Sequence, residues 1–150
     1  MKLSPSDIKK LITYAKTFIG VPYKYGATMS EAPVVFDCSG FIKYIFSYMQ
    51  VELPRSSIEQ ASFGKIVKNI AKLETGDVIF LRGSIGHYNK KFPQGIGHVV
   101  LYIGNKKIIH ASSRRIKHYP NITETGKVRI DNLSTVLKRS GPITVIKRFL

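Results

Sequence analysis

The chain has one cysteine, few acidic residues and no long apolar run, and each shortage removes a class of protein. With Cys38 alone there is no internal disulfide and no zinc finger of the four-cysteine type. No stretch reaches the ~18 to 20 apolar residues of a membrane span. The first residues lack the apolar core and small-residue cleavage site of a signal peptide, so no export signal is visible. Nothing repeats and no linker interrupts the 150 residues, which predicts one domain over 1–150. Only 9 Asp and Glu stand against 24 Lys and Arg, a net charge of +15. Such a field attracts anions: nucleic acid, acidic lipid headgroups, or the carboxylate- and phosphate-bearing polymers of a bacterial wall. Beyond Gly104 eleven basic residues accompany only Glu124 and Asp131.

What is present is ordinary material for a globular core, with 43% hydrophobic residues. Ser4-Pro5-Ser6-Asp7 reads as a capped helix start, and Ile8, Leu11, Ile12 and Ala15 mark its apolar face before Gly20 stops it. The segment Gly20 to Gly26 is a shaped loop around Pro22, with Tyr23 and Tyr25 between its glycines. Residues 27–35 form a surface excursion. Asp37 then caps a second helix, in which Phe41, Ile42, Ile45, Phe46 and Met49 fall on one face. A short covering helix is expected after Leu53-Pro54-Arg55-Ser56-Ser57, ending near Gly64. Val78 to Leu81 is a strand buried on both faces, and 82–97, which hold His87, Lys90 and Lys91, are an exposed loop. His98 to Ile103 and Lys107 to Ala111 make a hairpin, 112–142 have no clear pattern, and a last strand is expected near 143–149.

The chemistry gathers around Cys38, which opens the second helix. A helix N-terminus favours an anion, which predicts a thiolate with a pKa below about 8.5. His98 begins one arm of the hairpin and His110 lies near the end of the other, so antiparallel pairing brings them together on one face. A thiol at a helix start, a histidine base on a facing strand and a polar group to orient that base make the minimal cysteine-hydrolase set. Cys38, His98 and His110 fit the three places. The Cys38 N–H and a phenol from the Gly20 to Gly26 loop, which holds Tyr23 and Tyr25, are the donors offered to an oxyanion. His87 and His118, in loop-like stretches, are read as bystanders.

Together these motifs resemble the NlpC family of papain-like cysteine peptidases. The resemblance is carried by Gly20 to Gly26, Asp37-Cys38-Ser39-Gly40-Phe41, Leu53-Pro54-Arg55-Ser56, Gly76-Asp77-Val78-Ile79-Phe80, Gly97-His98-Val99 through Gly104, and Ile109-His110-Ala111. It spans residues 5–111 well and 112–150 loosely. It implies a papain-like α+β fold, with N-terminal helices and the nucleophile helix packed on a central antiparallel sheet. It also implies an endopeptidase that cuts peptidoglycan stem peptides, commonly between D-glutamate and a diamino acid, without metal or cofactor. In that scheme Cys38 is the nucleophile, His98 the base, His110 the orienting residue and Tyr23 the phenol near the oxyanion, while Asp37 and Ser39 line the substrate cleft. Such a role belongs to the periplasm, the cell wall or the exterior.

Three features depart from the family pattern: Ala27 replaces a usual glycine, the 82–96 loop is long, and the basic tail has no strong match. The competing uses of the same residues are a thiol hydrolase or acyltransferase of this fold acting on a non-wall amide or thioester, a basic nucleic-acid-binding module, and a zinc site of Cys38, His98 and His110. No nucleic-acid readout motif accompanies the basic tail, and the resemblance assigns the three zinc-type ligands to hydrolysis.

Overall fold

A computed structural model describes residues 4–83, 86–117 and 123–149, and in it helices pack on a six-stranded antiparallel sheet. Helix α1 (Pro5–Lys16) begins with the expected capping box: Ser4 Oγ accepts from the Asp7 N–H at 3.2 Å, and Asp7 Oδ2 accepts from the Ser4 N–H at 3.1 Å. Helix α2 (Cys38–Tyr48) is capped by Asp37, and a single-turn helix α3 (Ser57–Gln60) follows, shorter than the run to Gly64 that the sequence predicts. The strands are β1 (Lys65–Ile66), β2 (Val78–Leu81), β3 (His98–Gly104), β4 (Lys107–Lys117), β5 (Thr123–Asn132) and β6 (Ile143–Arg148), with helix α4 (Leu133–Ser140) between the last two. Their order across the sheet is β1-β6-β2-β3-β4-β5.

Strand alternation divides the core in two. Val78, Phe80, Val99, Leu101, Ile109 and Ala111 face α1 and α2, where Leu11, Ala15, Phe41, Ile42, Ile45 and Phe46 are buried. Ile79, Leu81, Val100, Ile108 and Ile146 form the other layer with Val136 of α4. This is the α+β arrangement expected, with the Cys38 helix on the sheet.

Two expectations are corrected. Within 112–142 the described residues, 112–117 and 123–142, are mostly regular structure: β4 continues past Ala111, β5 pairs with it from Lys107↔Asn132 onward, and α4 follows. Their basic residues hid an alternation in which Val128 and Ile130 point inward between Lys127, Arg129 and Asp131. The 82–97 loop is not wholly exposed either. Phe92 and Ile96 are buried in the α2 layer, because Asn89 Oδ1 turns the chain at the Phe92 N–H (2.7 Å) and His87 pairs with Ile96. His118 lies outside the described residues.

The Gly20 loop extends the sheet. After a turn at Gly20 (φ +96°), Gly20 N–H donates to Val128 O, Val128 N–H to Val21 O and Tyr23 N–H to Gly126 O, each at 2.9 Å. Phe36 N–H then donates to Pro22 O at 3.1 Å and Lys24 N–H to Phe36 O at 3.0 Å. Backbone pairing thus runs from β5 through Tyr23 to Phe36, two residues before Cys38.

At the opposite end, β6 is tied to β2 by a buried ion pair. Asp77 is 1% exposed and accepts from Arg148 Nε at 2.7 Å, from Arg148 Nη2 at 2.9 Å and from the Glu74 N–H at 2.8 Å. Without Asp77, Arg148 keeps Glu74 as a partner but the charge-assisted bonds to the buried carboxylate are lost, so Asp77→Ala is expected to cost about 2 kcal/mol, read as a lower urea midpoint. An unchanged midpoint would show that the pair adds nothing.

Candidate active site

Cys38 is the first residue of α2 and is half-buried as a residue. Around it Arg55 gathers three pieces of chain. Its guanidinium donates to Asp37 Oδ2 at 2.8 Å, to Ser39 Oγ at 2.9 Å and to the Ala27 carbonyl. Asp37 Oδ1 meanwhile accepts from the Gly40 N–H at 2.7 Å. Glycine at position 40 leaves room for this network: a Cβ there would lie 2.8 Å from Asp37 Oδ1 and 3.3 Å from Arg55 Nη2, so the Asp37 carboxylate would have to shift. Gln60, fully buried, locks the other side of this turn by donating to Ser39 O at 3.0 Å and Pro54 O at 2.9 Å. Ser39 is buried and its hydroxyl is taken by Arg55, so Asp37 and Ser39 are bound into the support of the cysteine turn.

His98 and His110 meet as the hairpin predicts. His98 Nε2 lies 2.7 Å from His110 Nδ1, and His110 Nε2 lies 2.8 Å from Asp131 Oδ2 on β5. A carboxylate only accepts, so His110 carries its proton on Nε2 and offers the Nδ1 lone pair to His98 Nε2–H. His98 is left with a bare Nδ1. On the same side of the hairpin, Arg129 holds the second Asp131 oxygen, Nη2 to Oδ1, at 3.0 Å. The peptide N–H of Val99, joined directly to His98, is within hydrogen-bond reach of the Cys38 sulfur. Tyr23 arrives at the cysteine turn through its backbone pairing with Phe36. His87 pairs with Ile96 in the loop, apart from this chain of contacts.

Burial sets the protonation states. It pushes the Cys38 thiol up to about 12, with the Asp37 charge adding to it and the Val99 and Ser39 N–H groups and Arg55 opposing. It pushes His98 down to about 3, helped by His110 and Arg139. His110 is lowered by burial too, against the pull of Asp131. The expected thiolate is therefore corrected: the resting site holds a neutral thiol and neutral imidazoles. The helix N-terminus does not ionise Cys38 because Asp37 already occupies it, bonding the Gly40 N–H and bringing a negative charge beside the sulfur.

Three contributors were not singled out from sequence. Arg55 had a signal, a lone charge between a proline and a helix cap in Leu53-Pro54-Arg55-Ser56. Asp131 had a weaker one, the alternation of Lys127 to Asp131. Gln60 had none, because a glutamine in a short polar turn looks like surface.

Comparison with known proteins agrees with this architecture. A model of the NlpC/P60 family matches residues 20–135. The chain is 36% identical over 107 residues to the probable peptidoglycan endopeptidase LytE of Bacillus subtilis, covering 71% of this chain and 28% of that protein. It is 32% identical over 142 residues to the gamma-DL-glutamyl hydrolase of Bacillus subtilis, covering 89% of this chain and 31% of that protein. It thus spans about a third or less of these two relatives. The solved structure of the peptidoglycan hydrolase RipB of Mycobacterium tuberculosis superposes with a TM-score of 0.67 at 27% identity, covering 99% of this chain and 69% of that one. With a capped cysteine turn, two histidines paired on neighbouring strands, and a family match over most of its length, the chain belongs to the NlpC/P60 family.

Proposed function

We propose that this chain is a cysteine endopeptidase that cuts stem peptides of peptidoglycan, at the bond between D-glutamate and a diamino acid. The observation that carries the reading is the directed chain from Asp131 through His110 to His98, which leaves a bare imidazole nitrogen on the residue next to Val99, whose N–H acts on the Cys38 thiol. The names of the relatives, a peptidoglycan endopeptidase and a gamma-DL-glutamyl hydrolase, support the substrate class.

In this mechanism His98 Nδ1 takes the Cys38 proton as the sulfur attacks the scissile carbonyl. The neutral resting pair makes transfer and attack parts of one step. The oxyanion is met by the Cys38 N–H and the Tyr23 phenol, with Asp37 at the rim of the cleft. His98, now cationic, keeps its Nε2–H on His110, which the Asp131 carboxylate steadies in turn. The His98 Nδ1 proton passes to the leaving amine, and a thioester remains on Cys38. Water, deprotonated by the same Nδ1, releases the acid and restores the thiol.

The deciding experiment is mass spectrometry of peptidoglycan fragments after digestion by wild type and by Cys38→Ala. New stem-peptide cuts by wild type alone are expected; equal activity in the variant would end the proposal. His98→Ala should lose roughly 1,000-fold or more in kcat, and Asp131→Asn about 100-fold with KM unchanged. A KM effect alone at Asp131 would reassign it to binding. Because the resting thiol is neutral, iodoacetamide labelling of Cys38 should climb continuously from about pH 7 to about pH 10. A plateau reached below neutral pH would instead reveal a resting thiolate. The net charge of +15 is proposed to hold the enzyme on an anionic wall. Retention on purified walls should then collapse between about 0.1 M and 1 M salt, as the screening length falls from about 10 Å to about 3 Å. Retention indifferent to salt would refute this.

A further inference from the structure

The sheet face that carries the histidines has a second feature, which hydrolysis leaves unused. A cleft of about 380 Å³ lies where the Gly20 to Pro22 extension runs beside β5, with α4 contributing one wall. Among the described residues its charged groups are all of one sign: Lys127 and Arg129 from β5 and Arg139 from α4, with no acidic residue in the lining. Arg129 is held by Asp131. The side chains of Lys127 and Arg139 have no hydrogen bond or ion pair among the described residues. The hydroxyl-bearing Ser112, 8% exposed, lines the recess between these cations. Two unpaired cations around one recess repel each other, and an anion bound between them relieves that repulsion. The planar guanidinium of Arg139 suits a carboxylate in particular.

The cleft adjoins the hydrolytic groups through every element that builds it. Pro22 precedes Tyr23, Arg129 pairs across the ladder with His110, and Ser112 follows His110 by two positions on the same face. Two positions along a strand are roughly 7 Å, about the reach of one or two peptide residues. Arg139 is close enough for its charge to weigh against protonation of both histidines.

We propose that this cleft is a carboxylate subsite, in which Arg139 and Lys127 hold a free carboxylate of the substrate peptide within one or two residues of the scissile bond. The inference rests on the peptidase reading above and gives it a specificity. A γ-linked glutamyl residue leaves its α-carboxylate free, and amidation of that group removes the charge while keeping the shape. The subsite therefore distinguishes acid from amidated stem peptides.

The test measures kcat/KM for a matched pair of synthetic stem peptides, one with the free carboxylate and one amidated, in wild type, Arg139→Gln and Lys127→Gln. Wild type is expected to prefer the acid by about 10- to 100-fold, the range of a charge-assisted hydrogen bond, and each variant to lose most of that preference. The ratio is taken within one protein preparation, so a variant that folds poorly still reports the preference of its folded fraction. Equal cleavage of the two peptides by wild type, or a preference retained in both variants, overturns the subsite and leaves the peptidase reading standing. Cleavage of neither peptide by wild type overturns the peptidase reading and the subsite with it.

Discussion

The packing of α2 on the sheet is the constraint from which the site follows. Phe41, Ile42, Ile45 and Phe46 are completely buried against Val99, Leu101, Ile109 and Ala111, at roughly 1.5–3 kcal/mol for each large side chain. The same strands carry His98 and His110. One apolar contact therefore sets where the helix start, with its sulfur, stands relative to the imidazoles, and close packing keeps that relation from drifting.

Desolvation follows from that packing and governs the chemistry. A group taken out of water gives up charge unless a partner compensates, so the thiol and both histidines rest neutral. What remains is direction. The Asp131 carboxylate forces one tautomer on His110, which forces one on His98, and the free nitrogen is determined two side chains away from the group that decides it. Arg55 performs the comparable task on the other side, tying Asp37, Ser39 and the Ala27 carbonyl into one rigid turn.

The stretch from β5 through the Gly20 extension to Phe36 joins these two halves. It brings Tyr23 to the cysteine turn by backbone hydrogen bonds, and it raises one wall of the basic cleft next to the histidines. Part of the large positive charge is thus concentrated beside the histidines, in Lys127, Arg129 and Arg139. The basic tail, which matches the family pattern only loosely, supplies β5, α4 and Asp131.

Local patterns determined much of this protein without any coordinates. The Ser4 and Asp37 caps, the apolar face of α2, the four-residue strand at Val78 and the hairpin after His98 depend on neighbours a few positions apart, so spacing alone reveals them. The pairing of His98 with His110 follows from the same hairpin. Asp131, Arg55 and Gln60 became visible only in the tertiary structure, because their partners are 16 to 21 positions away for the contacts to His110 and Ser39. The ionisation of Cys38 was decided there too. A helix start predicts an anion, but burial and the neighbouring Asp37 charge outweigh it, and burial is a property of the folded chain rather than of any stretch of sequence.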